Sequence, residues 1–287
     1  MNIEPPTLLE WGAIAISPLL ASFASTASIR AARAEQWVSG RSHCDTCATQ
    51  LPAIDLIPIV SAILRRGRCR FCAAPIPTAH ILAEYALPLA ALLAACAMNG
   101  AAFASLYALA LLLLAAAIYD VQSLRIPDAF TASIALGGAA FAFAFFRDEA
   151  WPRVLAAAGF GAILLAAALA HERLRKRPGL GGGDVKLFAA GALWLPPWAA
   201  PWALASAALS ALAWTWLQQR GTAGVSPAKE SEAGVASIRA HDEFQAGRSG
   251  FFRRRDAGGP ASEPRLIPFA PFLALGIFSC LALALTI

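Results

Sequence analysis

The chain has 287 residues, of which 58% are hydrophobic and 14% charged, with a net charge of +5 and a mean hydropathy of +0.59. A soluble globular domain carries about 25% charged residues, so these proportions exclude that class and predict an all-α polytopic membrane protein. Membrane lipid is an expected partner and nucleic acid is not.

A membrane span needs about 17–25 apolar residues. On that measure eight transmembrane helices are predicted, over 8–29, 80–98, 101–119, 128–146, 153–170, 186–199, 200–218 and 266–287. The first is preceded by Glu4 and contains Glu10 where a cleavable signal would carry basic residues, so no signal peptide is expected. Between the sixth and seventh, Trp194-Leu195-Pro196-Pro197-Trp198 and Pro201-Trp202 mark a tight turn with interfacial aromatics. A single kinked or re-entrant element fits the same residues.

The polar stretch 30–79 follows the first span and is too polar to cross. It carries Cys44-Asp45-Thr46-Cys47 and, after twenty-one residues, Cys69-Arg70-Phe71-Cys72. Two Cys-x-x-Cys knuckles suit tetrahedral zinc, and a segment with few large apolar side chains takes much of its folding energy from such a metal. The same stretch holds Arg30, Arg33, Arg41, Arg65, Arg66, Arg68 and Arg70, and the loop before the sixth span holds Arg173, Arg175, Lys176 and Arg177. Positive residues stay on the cytoplasmic side, so both stretches are expected there, with both termini outside. Cys96 and Cys280, alone in apolar runs, are expected to be ordinary buried residues.

Asp120 closes the third span and Asp184 opens the sixth, within Gly181-Gly182-Gly183-Asp184-Val185-Lys186-Leu187. An aspartate inside a span costs about 2.5–3.5 kcal/mol on insertion scales, so both are candidates for function. The orientation places the two carboxylates on the same, cytoplasmic face. Two close carboxyls cannot both ionise cheaply, so one keeps a proton, the arrangement of an acid–base dyad. Asp120 lies near a helix C-terminus, which disfavours its anion, and Asp184 near an N-terminus, which favours it; the expected roles are acid for Asp120 and base for Asp184. Gly181 and Gly183 let backbone approach the site. Asp128 and Asp184 each precede an apolar run and are also candidate helix N-caps. Lys186 either pairs with a carboxylate or snorkels at the boundary. His43, His80, His171 and His241 lack metal-ligand spacing and are assigned no role. The stretch 219–263 is rich in Gly, Ala, Ser, Glu and Arg and reads as a flexible cytoplasmic loop, with Phe251-Phe252-Arg253-Arg254-Arg255 as a solvated basic run.

These motifs, in this order, resemble bacterial type IV prepilin peptidases, the bifunctional leader peptidases and N-methyltransferases of pilus and type II secretion systems, which are GxGD-type intramembrane aspartyl proteases. The resemblance runs over nearly the whole chain. It rests on Ala21-Ser22-Phe23 with Arg30, on Arg41-Ser42-His43-Cys44 to Cys47, on Arg68-Cys69-Arg70-Phe71-Cys72 and on Glu84. It continues through Asp120 to Ile126-Pro127-Asp128, Gly181 to Leu187, and Leu266-Ile267-Pro268-Phe269-Ala270-Pro271-Phe272-Leu273-Ala274. Ala21, Ser25 and Ala270 stand where the family usually has Gly, Asn and Gly, and 219–263 looks like an insertion.

The resemblance implies that Asp120 and Asp184 activate water to cleave a basic leader from type IV prepilins or pseudopilins. It implies a bacterial inner-membrane location with the active site at the cytoplasmic face. It further implies that the new N-terminus is methylated with S-adenosylmethionine, in which step Glu84 is expected to bind the free amine or serve the cofactor. The expected organisation is 1–29 as first span, 30–79 as a zinc-binding domain associated with methyl transfer, 80–218 as peptidase core, 219–263 as loop and 264–287 as last span. A zinc-bearing scaffold or a metal transporter is the alternative, but a transporter would carry acids or histidines at mid-span, and here the acids cluster at one edge.

Overall fold

A computed structural model of the chain describes residues 5–36, 40–176, 180–222 and 268–286. The stretch 223–267, on which most of the expected loop, the basic run at 251–255 and the start of the last span fall, lies outside the described residues. Met1–Ala208 with Ile267–Ile287 form one compact unit and Leu209–Leu266 a second. The described part of the second unit is the end of a helix, where the Arg220 guanidinium lies 3.6 Å from the centre of the Trp216 ring.

The described residues form helices α1 (Leu8–Ala32), α2 (Val60–Leu64), α3 (Thr78–Ala97), α4 (Gly100–Ser123), α5 (Asp128–Phe145), α6 (Ala150–Arg175), α7 (Gly182–Ala192), α8 (Ala200–Thr222) and α9 (Ala270–Thr286). Short 3-10 turns cover Ala53–Leu56 and Arg147–Glu149. Among the described residues five helices are long and apolar enough to cross a membrane: α1, α3, α4, α5 and α6. The sixth expected span differs in length. Helix α7 has 11 residues, about 16 Å against a hydrocarbon thickness of about 30 Å. The chain then turns through 193–199 before α8 begins, so 186–218 is two helices joined by the Trp-Pro turn.

Helix α1 starts on a capping box: the Thr7 N–H donates to Glu10 Oε2 at 2.7 Å, and the Glu10 N–H reaches Thr7 Oγ1 at 3.4 Å. Glu10 is buried because its other oxygen accepts the N–H of Gly100, the first residue of α4, at 2.8 Å. One register lower, Ser17 Oγ meets Tyr107 Oη at 3.0 Å. These contacts make α1 and α4 parallel, so the C-terminus of α4 lies at the end of the bundle where α1 leads into the cysteine segment. The faces between α1, α3 and α4 are lined by small buried residues, Ala21, Ser25, Ala83 and Ala110, which let the helix axes approach closely where lipid supplies no hydrophobic drive. Ala21 and Ser25 serve this packing, and Ser25 Oγ also meets His80 Nδ1 at 2.8 Å.

Helix α7 packs against α5, α6 and α9. The Trp194 indole lies across Gly137 and Gly138, where a Cβ on Gly138 would come within 2.8 Å of the indole and of Leu193 Cβ. The indole N–H donates to the Ile134 carbonyl at 2.9 Å, and the ring stacks on Phe141. Buried Arg153 donates to the Trp194 carbonyl at 3.0 Å and to Glu149 at 2.9 Å, and lies 4.1 Å from the centre of the Phe146 ring. Of the two lone cysteines, Cys280 is half-buried and Cys96 is exposed on α3. Cys96 therefore departs from the buried role expected of it, because a span in an apolar run still turns one face outward.

Candidate active site and metal centre

Asp120 sits in the last turns of α4, and Asp184 in the first turn of α7, as the apolar runs on either side of each required. Helix α4 stops beyond Asp120 at Leu124, a left-handed residue whose N–H closes on the Asp120 carbonyl at 2.8 Å. The chain then turns through Ile126-Pro127 into α5. At the other side, Gly181 is the N-cap of α7, and the Asp184 N–H returns to the Gly181 carbonyl at 3.1 Å. A Cβ on Gly181 would sit 3.0 Å from Asp184 Oδ2, and one on Gly183 would press on Ile126. The glycine run thus leaves room for the carboxylate and seats α7 against the turn that follows Asp120.

Asp120 is buried, and its Oδ2 accepts the N–H of Ala270 at 3.1 Å. The first turn of α9 therefore closes over the carboxylate. Asp184 is half-buried and within range of the Asp120 charge. The two carboxylates therefore lie at the same end of the bundle, with α7 seated through Gly183 on Ile126 of the turn that follows Asp120.

Lys186 and Asp128 stand at the rim. They pair with each other at 2.8 Å, both well exposed. Asp128 is the first residue of α5, behind Pro127, and caps nothing with its side chain. Asp184 likewise lies inside α7 and is not its N-cap.

The cysteine segment lies at the same end of the bundle, between the C-terminus of α1 and the N-terminus of α3. Its two knuckles have the same backbone. In the first, the Cys44 N–H donates to Thr49 and Ala48 closes on the Cys44 carbonyl; in the second, the Cys69 N–H donates to Ala74 and Ala73 closes on the Cys69 carbonyl. Ala48 and Ala73, each four residues after the first cysteine, both take φ near +56°, at 55° and 57°.

The sulfurs of Cys44, Cys47, Cys69 and Cys72 all lie within 4.8 Å of one another. Cys44 and Cys72 are 3.8 Å apart, the edge of a tetrahedron with bonds of about 2.3 Å. The four sulfurs can therefore hold a metal ion. Thr49, through its hydroxyl and backbone, draws the Cys47 thiol down to about 6. The Cys72 thiol is pushed up to about 12: the Ala74 N–H favours its anion, but burial and the neighbouring sulfurs outweigh it. Crowded thiols cannot all ionise unaided, and a divalent cation removes that penalty.

Glu84 is buried on α3. Its Oε2 accepts the N–H of Ile59 at 2.7 Å. Ile59 is held at φ 63°, a conformation that a β-branched side chain resists. Three site residues have no side-chain signature in the sequence: the Ala270 N–H, which acts through backbone, and Asp55 and Arg65, whose ion pair at 3.0 Å is set within the polar stretch.

Residues 15–98 match the Bacterial Peptidase A24 N-terminal domain, and residues 107–216 match the Type IV leader peptidase family. A type 4 prepilin-like proteins leader peptide-processing enzyme of Escherichia coli O78:H11 is 34% identical over 187 residues, 63% of this chain and 68% of that protein. The chain belongs to the type IV leader peptidase family. A prepilin leader peptidase/N-methyltransferase of Aeromonas hydrophila is 34% identical over 158 residues, 54% of each chain. The Bacillus subtilis enzyme of that name is 31% identical over 175 residues, 60% of this chain and 67% of its own. The alignments thus span between about half and two thirds of these leader peptidases. No solved structure matches.

Proposed function

We propose that this leader peptidase cleaves the basic leader of type IV prepilins or pseudopilins with Asp120 and Asp184 as an aspartyl dyad. The observation that carries the reading is that α4 and α7, distant in sequence, set Asp120 and Asp184 at the same end of an apolar bundle, with Gly183 packed on the turn after Asp120. The pair shares one proton. The protonated carboxyl polarises the scissile carbonyl while the ionised one takes a proton from water; the water oxygen bonds to the carbonyl carbon, the C–N bond breaks, and the amine leaves protonated. Gly181 and Gly183 give the substrate backbone access, and Lys186 with Asp128 forms the rim.

The arginines between α1 and α3 support an inner-membrane protein with this end at the cytoplasmic face. In that reading 30–79 is a separate zinc-binding domain between the first span and the peptidase core of 80–218. Cys44, Cys47, Cys69 and Cys72 would hold zinc, which supplies folding energy there. The relatives' names support a second step, N-methylation of the new N-terminus, in which S-adenosylmethionine supplies the methyl group. Glu84, a buried acid at the same end of the bundle, would serve that step. Co-expression with a type IV prepilin, followed by mass measurement of its N-terminus, tests both activities; prepilin left at its precursor mass would refute the first.

A further inference from the structure

A cavity of about 270 Å³ lies between the cysteine segment and the ends of α1 and α3. Thr26 and Arg30 of α1, His80 and Glu84 of α3, and Asp55 and Arg65 of the intervening segment contribute to its wall. Asp120 and Asp184 do not, so the cavity is distinct from the dyad although it lies at the same end of the bundle.

Its wall holds an unusual carboxylate. The Asp55 side chain is 8% exposed; Oδ1 accepts from Arg65 Nε at 3.0 Å, and Oδ2 is buried with no hydrogen-bond partner. A second carboxylate, Glu84, is buried in the same wall, with only a backbone N–H on its Oε2. A buried acceptor without a partner is costly, more so when charged. Five guanidiniums, of Arg30, Arg33, Arg65, Arg68 and Arg70, and four carboxylates, of Glu35, Asp45, Asp55 and Glu84, border the space. Arg33 pairs with Asp45, and these two with Glu35, Arg68 and Arg70 are exposed, so the charges set deepest are the acids Asp55 and Glu84, with Arg65 tied to Asp55 and Arg30 half-buried on the last turn of α1. Deeply set acids facing the space suit a ligand with a positive centre, and the half-buried Arg30 suits a carboxylate on the same ligand.

We propose that this cavity is the methyl-donor site, with Asp55 facing the sulfonium of S-adenosylmethionine, Glu84 its α-ammonium group and Arg30 its carboxylate. The inference rests on the methyl-transfer reading and names the residues that serve it. The amine of the processed substrate first gives up its proton, to a wall carboxylate or to water. Its nitrogen then bonds to the methyl carbon as the carbon–sulfur bond breaks, and that electron pair stays on sulfur as a thioether. Because cavity and dyad share one end of the bundle, the new N-terminus need not cross the membrane between the two steps.

Calorimetry on the full chain in nanodiscs provides the test, with sinefungin, which carries an amine where the donor has its sulfonium, and with S-adenosylhomocysteine, its neutral thioether. Wild type should bind sinefungin the more tightly. Asp55→Asn should weaken sinefungin about tenfold or more, as expected for a lost charged hydrogen bond, and leave S-adenosylhomocysteine within about threefold, with metal content and leader cleavage retained. Thr26→Trp, which fills the cavity from α1, should remove binding of both and decides the matter if Asp55→Asn loses its metal. Unchanged sinefungin affinity in a metal-bearing Asp55→Asn, or wild-type binding by Thr26→Trp, overturns the site. If wild type methylates prepilin meanwhile, the methyl-transfer reading survives; a wild type that neither methylates nor binds overturns both. A peptide with a free amino group on an apolar first residue is the remaining arm: Asp55→Asn weakening the peptide and not sinefungin would assign the carboxylate to the acceptor and overturn the proposal.

Discussion

Replacing Arg153 by Met removes the clamp on the far end of α7 while keeping much of the side-chain volume. The Trp194 carbonyl, deeply buried, would lose its donor, a penalty of about 1–3 kcal/mol. Loss of the guanidinium over Phe146, 4.1 Å from the ring centre, adds about 1 kcal/mol. The ion pair to Glu149 counts for little, because Glu149 is 55% exposed and such pairs are worth about 0–1 kcal/mol. Arg153 Nε already lacks a partner, so the clamp is the carbonyl bond and the ring contact. Arg153→Met should therefore cost about 2–4 kcal/mol, and Glu149→Gln less than about 1 kcal/mol. Thermal unfolding in detergent, followed by tryptophan fluorescence, checks the ranking. Equal melting of the two variants would refute the reasoning, since it would place the stabilisation in the ion pair.

Three further outcomes follow from the geometry. Purified protein should contain about one zinc by elemental analysis, and Cys44→Ser or Cys69→Ser should lose it; metal-free protein with reduced thiols would contradict the four-sulfur site. Asp128→Asn breaks an ion pair exposed on both sides and should lower stability by less than about 1 kcal/mol, with prepilin cleavage, read by gel shift, within a few-fold of wild type. Gly276→Ala drives a Cβ into the Ala203 carbonyl oxygen where α9 passes α8 and should destabilise by about 1–3 kcal/mol, whereas Gly159→Ala, facing open space, should melt like wild type.

The helices that could be read in the sequence are those whose apolar runs fill a membrane by themselves. Asp120 and Asp184 stand out in the sequence as candidates because a carboxylate at the edge of such a run is costly, and the cysteines because their spacing is doubled. The tight turn at Trp194–Trp198 is legible from its prolines, but the expected span of 186–199 runs into it, whereas α7 covers Gly182–Ala192. The Ala270 N–H on Asp120 left no trace, being a backbone donor 150 residues away. Asp55 was hidden for a different reason. In a polar stretch an acid ten residues from an arginine reads as solvated, and only the closure of the segment on α1 and α3 buries it.

The dyad is tested most directly by the N-terminal mass of a co-expressed prepilin in cells carrying wild type, Asp120→Asn or Asp184→Asn at equal membrane abundance. Wild type should yield prepilin shortened by its leader. Each variant should leave the precursor mass, with cleavage reduced by at least about 10²–10⁴, the contribution of positioned acid–base catalysis. Processing by Asp184→Asn at the wild-type rate would contradict the assignment of the reaction to this pair.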